Sequence, residues 1–161
     1  MMRRTSLRFL IAVAVGGSAI GPVELMAQGS ASKGRLTLKG YDPVAYFTDS
    51  KATPGTTEFE YVWDGLLFRF ASAAHRDLFK ADPEKFAPQF AGSCAMSLTR
   101  GLKIEADPNN WTISNGKLFV FAGPGGPEKL LKDPTATVAE ATANWSALKD
   151  ASFQQREGPM R

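Results

Sequence analysis

Cys94 is the only cysteine in this chain of 161 residues, His75 is the only histidine, and Met96 stands two positions beyond the cysteine. Thiolate and thioether sulfur favour soft, low-coordination ions such as Cu(I), and an imidazole can complete a three-donor set. Cys94, Met96 and His75 are therefore the candidate ligands for a soft transition metal such as copper. Their geometry depends on the backbone. Residues two apart share a face on a strand but diverge by about 200° on a helix. The chain has no Cys-x-x-Cys or His-x-x-x-His pair, which argues against structural zinc, and no calcium-loop spacing. A single thiol also cannot form an intramolecular disulfide, and Cys94 reads equally well as a small buried hydrophobe.

Other chemistry finds less support. Cys94, His75 and an acid such as Asp77 supply the residue types of a thiol nucleophile system, but no nucleophile motif surrounds Cys94. Gly123-Pro124-Gly125-Gly126 lacks the Lys and Ser/Thr of a phosphate-cradling loop, and proline removes an amide donor. Asp64 and Asp82 suit turn and cap duties. With no catalytic motif, the chain reads as a binding module and not as an enzyme. Tyr41, Tyr46, Tyr61, Trp63, Phe68 and Trp111 offer either a ligand cleft or, at strand spacing, simply core.

The elements that must position these residues are short. Val44–Phe47 predicts an apolar strand after a turn at Gly40-Tyr41-Asp42-Pro43. Phe59, Tyr61 and Trp63 alternate with Glu58, Glu60 and Val62, Asp64-Gly65 supplies a tight turn, and Leu66, Phe68 and Phe70 continue the alternation, which predicts a hairpin. Ser72 caps a helix over 73–81, with Ala74, Leu78 and Ala81 on one face and His75 and Phe79 beside it. Asp82-Pro83 starts a second short helix that turns Phe86 and Phe90 inward. Residues 92–101, which hold Cys94, read as either a short helix or a strand. Asp107-Pro108 predicts a turn or a single helical turn. Trp111–Ser114, Asn115-Gly116 and Lys117–Phe121 form a second hairpin. Pro127 starts a short helix to Lys132, and Asp133-Pro134 opens a last one with Val138, Ala141, Trp145 and Leu148 on one face. The expected fold is α+β: one small domain with two hairpins, several short helices and a C-terminal helix on the core.

The first 27 residues differ from the rest. Arg3, Arg4 and Arg8 precede the apolar run Phe9–Val15, and Leu25-Met26-Ala27 ends in a residue suited to signal-peptidase cleavage. The apolar run is far shorter than the ~20 residues of a spanning helix. The reading is a cleaved export signal at 1–27, on the general secretory or the twin-arginine route, and hence a periplasmic or other extracytoplasmic protein with no membrane span after cleavage. Residues 28–35 form a flexible leader, 36–149 the domain and 150–161 a frayed tail. Cleavage removes three arginines and Glu24, lowering the net charge from +3 to +1. No basic cluster remains for phosphates to follow, so nucleic acid is excluded as a partner.

Gly40-Tyr41-Asp42-Pro43-Val44-Ala45-Tyr46-Phe47 resembles the opening of exported YHS-domain proteins. Phe68 to Ala73, Phe79 to Gln89, Asn115-Gly116-Lys117-Leu118 and Ala143-Asn144-Trp145 continue the resemblance in order, over roughly residues 36–149. Ser93 and Met96 depart from it, standing where relatives carry aromatic residues beside a Cys-Ala pair. The resemblance implies a binding module for a transition metal, or for metal handling in the cell envelope. The alternative is a metal-free module that docks an envelope protein or a small organic ligand.

Overall fold

A two-residue strand, β1 (Arg35–Leu36), enters first in a computed structural model that describes residues 34–155. The export segment read at 1–27, most of the leader and the end of the tail lie outside the described residues. The chain then reaches helix α1 (Ala45–Thr48), where a strand was expected. The reason is Asp42: its carboxylate accepts from the amides of Val44 (2.8 Å) and Ala45 (3.4 Å), satisfying donors that open a helical turn. Pro43, with its fixed φ, suits that first turn. Apolar composition alone could not distinguish strand from helix over four residues.

The first hairpin forms as read. Strands β2 (Thr56–Trp63) and β3 (Leu66–Phe70) pair antiparallel across Asp64 and Gly65, whose φ values are 48° and 70°. That is the left-handed pair a tight hairpin requires. β1 adds in parallel to the other edge of β3, giving the order β1-β3-β2.

Helices α2 (Ala73–Ala81) and α3 (Pro83–Phe86) cover this sheet. Ser72 accepts from the His75 amide and Asp82 from the Lys85 amide, so both caps are made as their residue types require. The buried face of α2 is not Ala74 and Leu78. Leu78 is 46% exposed, whereas Phe79 is fully buried among the rings of Tyr61, Trp63, Phe68 and Phe70. The largest apolar side chain took the centre, and His75, four residues earlier on the same face, was carried inward with it.

After a 3-10 turn at Gln89–Gly92 comes α4 (Ala95–Leu98). The second hairpin, β4 (Asp107–Ser114) and β5 (Lys117–Phe121), turns at Asn115-Gly116. Asp107-Pro108 is the start of β4 and not a helical turn; the irregularity that the proline demands is taken up by a bulge between Asp107 and Trp111. Helices α5 (Gly126–Lys132) and α6 (Pro134–Leu148) close the chain. The architecture is a mixed α+β domain with a three-stranded sheet, a two-stranded sheet and a C-terminal helix.

Two apolar clusters result. One surrounds Phe79 on the first sheet. The other surrounds β5, whose Leu118, Phe119, Val120 and Phe121 are all buried and which packs on Tyr46, Cys94 and Leu130. The aromatic residues proposed as a ligand cleft divide between the two. Tyr41, Tyr46 and Trp111 belong to the second cluster and Tyr61, Trp63 and Phe68 to the first.

Candidate functional site

Cys94 sits at the junction of two backbone conformations, which resolves the ambiguity of residues 92–101. Its own backbone is extended (φ −66°, ψ 113°) and bridges Val120 in parallel, with its amide donating to Ile104 O at 2.8 Å. Its carbonyl accepts from the amides of Ser97 and Leu98, so the helix begins one residue later. At the far end of α4, Leu98 O accepts from the Gly101 amide at 2.9 Å and also from Asn144 Nδ2 on α6 at 2.8 Å. α4 is thus held at both ends by neighbouring elements.

Because Cys94 is extended and Met96 helical, the 200° divergence does not apply. Both residues line one cleft of about 370 Å³ between α4 and the loop after β5. Ser97, Arg100, Phe121 and Lys129 complete its walls with the glycine-rich loop 122–126. Cys94 is 3% exposed and Met96 half-buried, so the thiol lies deep and the thioether nearer the mouth. Gly126 is required here: a Cβ at this position would overlap the ring of Phe121. Gly123 and Gly125 have open space around them. The loop is therefore a wall shaped by one close approach, with no phosphate-binding pattern.

His75 does not line this cleft. Its Nδ1 lies 2.7 Å from Asp42 Oδ2, and its Nε2 lies 3.4 Å from Thr48 Oγ1. A carboxylate only accepts, so Nδ1 carries the proton. Asp42 is fully buried and also accepts from the Ala71 amide at 2.8 Å. One carboxylate thus ties together the start of α1, the end of β3 and helix α2. The three-donor set is therefore reduced to two sulfurs, and the thiol–imidazole–acid arrangement is absent. The acid beside His75 is Asp42, while Asp77 pairs with Arg76. Asp42 was missed because an Asp before Pro reads as a turn residue; the sequence signal available was its place two residues before a helix-competent run.

Among the described residues no group of three or more His, Cys, Asp or Glu side chains could hold a metal ion. Tyr46 contributes no free hydroxyl to a cleft either. It donates to Pro108 O at 2.9 Å and lies edge-on to Trp111, and burial raises its pKa above the usual tyrosine range, with Tyr41, Asp42 and Asp107 adding to the effect.

Fold and site together define a small α+β domain with a cleft lined by Cys94 and Met96. No protein-family model, curated protein or solved structure matches the chain. No helix among the described residues is long and apolar enough to cross a membrane.

Proposed function

We propose that this chain is an exported binding module of the YHS type, and that the cleft beneath α4 takes a soft monovalent metal ion, Cu(I) in character. The observation that carries the reading is the placement of Cys94 and Met96 on one cleft. A thiolate and a thioether suit an ion content with two soft donors. They do not suit zinc, calcium or magnesium, which need more donors or oxygen ligands. Cys94 would bind as the thiolate, and Met96 would close the site from the mouth. Ser93, also buried, has a hydroxyl without a hydrogen-bond partner among the described residues, but its extended backbone places it off the Cys94 face.

A second reading has its own support. Arg100 and Lys129 on the same walls give the cleft two cations, which favours a small organic anion over a free cation. Competition against a Cu(I)-specific chelator separates the two. The metal reading expects Cu(I) retention by the wild type, at least ~10-fold weaker retention by Cys94→Ser, a smaller loss in Met96→Leu, and no change in His75→Ala. Equal retention by the wild type and Cys94→Ser would remove the metal reading and leave the anion.

A further inference from the structure

A second groove lies away from the sulfur cleft. It consists of two adjoining hollows of about 300 and 350 Å³ that share Asp64, Leu66, Ala91 and Trp145. One hollow carries Trp63, Glu84, Gln89 and Lys117; the other carries Arg35, Lys103, Lys149 and one further acid, Asp150. We infer that this groove is a binding site for an acidic saccharide, with its sugar rings along the two indoles and its carboxylate at the cationic end.

The cationic end is built from unusual parts. Lys103 is only 5% exposed, yet its ammonium donates to two neutral carbonyls, Lys149 O and Ala151 O, each at 2.6 Å. It also lies over the rings of Trp145 (5.2 Å) and Phe153 (5.3 Å). Arg35 approaches from β1, donating from Nη2 to Ala91 O at 2.7 Å and stacking on Phe153. Among the described residues none of Arg35, Lys103 and Lys149 forms an ion pair with a carboxylate. Burial lowers the Lys103 pKa, and the nearby Arg35 charge lowers it further against the opposing pull of Asp150. Burial likewise lowers Arg35, with Glu105 opposing. The ammonium of Lys103 is buried beside the exposed guanidinium of Arg35, and with Lys149 they bring three cations to a hollow whose acids are Asp64 and Asp150; an anion relieves the excess positive charge.

The other end selects a sugar over an aromatic acid. Asp64, Glu84 and Gln89 line that hollow with acceptors and an amide donor that sugar hydroxyl groups would use. An aromatic hydrocarbon would leave them unmatched. Trp63 and Trp145 are both half-buried, presenting apolar surface to the groove beside those polar groups. The floor is strained: Phe90 (φ 56°) and Ala91 (φ 52°) are consecutive non-glycine residues in the left-handed region. Such outliers gather at ligand clamps. The Arg35 hydrogen bond to Ala91 O holds this turn in place.

The test is calorimetric titration of the full chain with trigalacturonate, maltotriose and 4-hydroxybenzoate, beside the variants Lys149→Glu and Glu84→Ala. Both altered residues are exposed, and circular dichroism checks that each variant folds. Trigalacturonate should bind at least ~10-fold tighter than maltotriose, weaken ~10-fold in Lys149→Glu, and weaken with salt. Glu84→Ala should weaken both sugars. Absence of trigalacturonate binding, equal affinity for maltotriose, preference for 4-hydroxybenzoate, or indifference to Lys149→Glu each overturns the inference. Cys94→Ser should leave this binding unchanged, so the outcome is independent of the metal reading.

Discussion

Replacing Asp42 with alanine should destabilise the domain more than any other single polar substitution in it. The carboxylate is fully buried and accepts from the Val44, Ala45 and Ala71 amides and from His75 Nδ1. Truncation strands at least the Val44 and Ala71 amides, each bonded at 2.8 Å. A buried donor left unpaired costs about 1–3 kcal/mol, and loss of the short bond to His75 adds to that. The total is about 3–5 kcal/mol, the range for breaking a buried charged contact from one side. For a domain of this size that lowers Tm by roughly 10–20 °C. The assay is urea and thermal unfolding of the wild type, Asp42→Ala, Asp42→Asn, His75→Ala and the Asp42→Ala/His75→Ala pair. Asparagine keeps one acceptor oxygen but turns an amide group toward a backbone donor, so it should fall between, near ~2 kcal/mol. His75, whose side chain is 17% exposed, should cost about 1–2 kcal/mol alone, and the pair should show a coupling of about 1 kcal/mol. A Tm for Asp42→Ala within ~2 °C of wild type would refute the idea that this carboxylate holds three elements together. So would a His75→Ala loss equal to that of Asp42→Ala, because the amide bonds would then carry nothing.

Other outcomes follow from single contacts. Tyr46→Phe should cost about 1 kcal/mol by denaturant titration, since it removes the hydroxyl bond to Pro108 O. The folded Tyr46 pKa is raised, so its contribution is intact below pH ~10 and is lost above it as the unfolded chain ionises; Tyr46→Phe should lose less stability than wild type on going from pH 9 to pH 11. Gly126→Ala should force the ring of Phe121 aside and slow thiol exchange or Cu(I) capture at Cys94 by narrowing the cleft, with a stability loss of ~1–3 kcal/mol; an unchanged Cys94 alkylation rate contradicts it. Ala91→Gly should raise Tm by ~2–4 °C, because relief of a left-handed Cβ exceeds the added chain entropy of glycine.

Much of the fold was legible because its signals are local. Asp64-Gly65 and Asn115-Gly116 demand left-handed turn residues and accept little else, so both hairpins could be read from their turns, while the register shifts at Thr56/Glu60 and Asp107/Trp111 could not. Ser72, Asp82 and Asp133 cap the helices that follow them, and each does so with a side-chain oxygen three residues from its amide donor. On α6 the face carrying Val138, Ala141, Trp145 and Leu148 was also readable, with Ala141 fully buried. Residues 151–154, read as the start of a frayed tail, are tied back instead: the Gln154 amide donates to Lys103 O and the Lys103 amide to Gln154 Oε1. No pattern within the tail announces a partner some fifty positions earlier.

What local sequence determined, then, was where the chain turns and which residues start its helices, because those choices depend on φ, on proline and on side chains within four residues. Only the tertiary structure decided which group each chemical residue meets. It drew His75 to Asp42 because Phe79 pulled their shared helix face into the core, and it set Cys94 beside Met96 because a bridge to Val120 keeps the cysteine extended just where the helix begins. Both outcomes arise from packing between segments far apart in the chain, where the energies of burial and of satisfying amides outweigh any preference a four-residue stretch holds by itself.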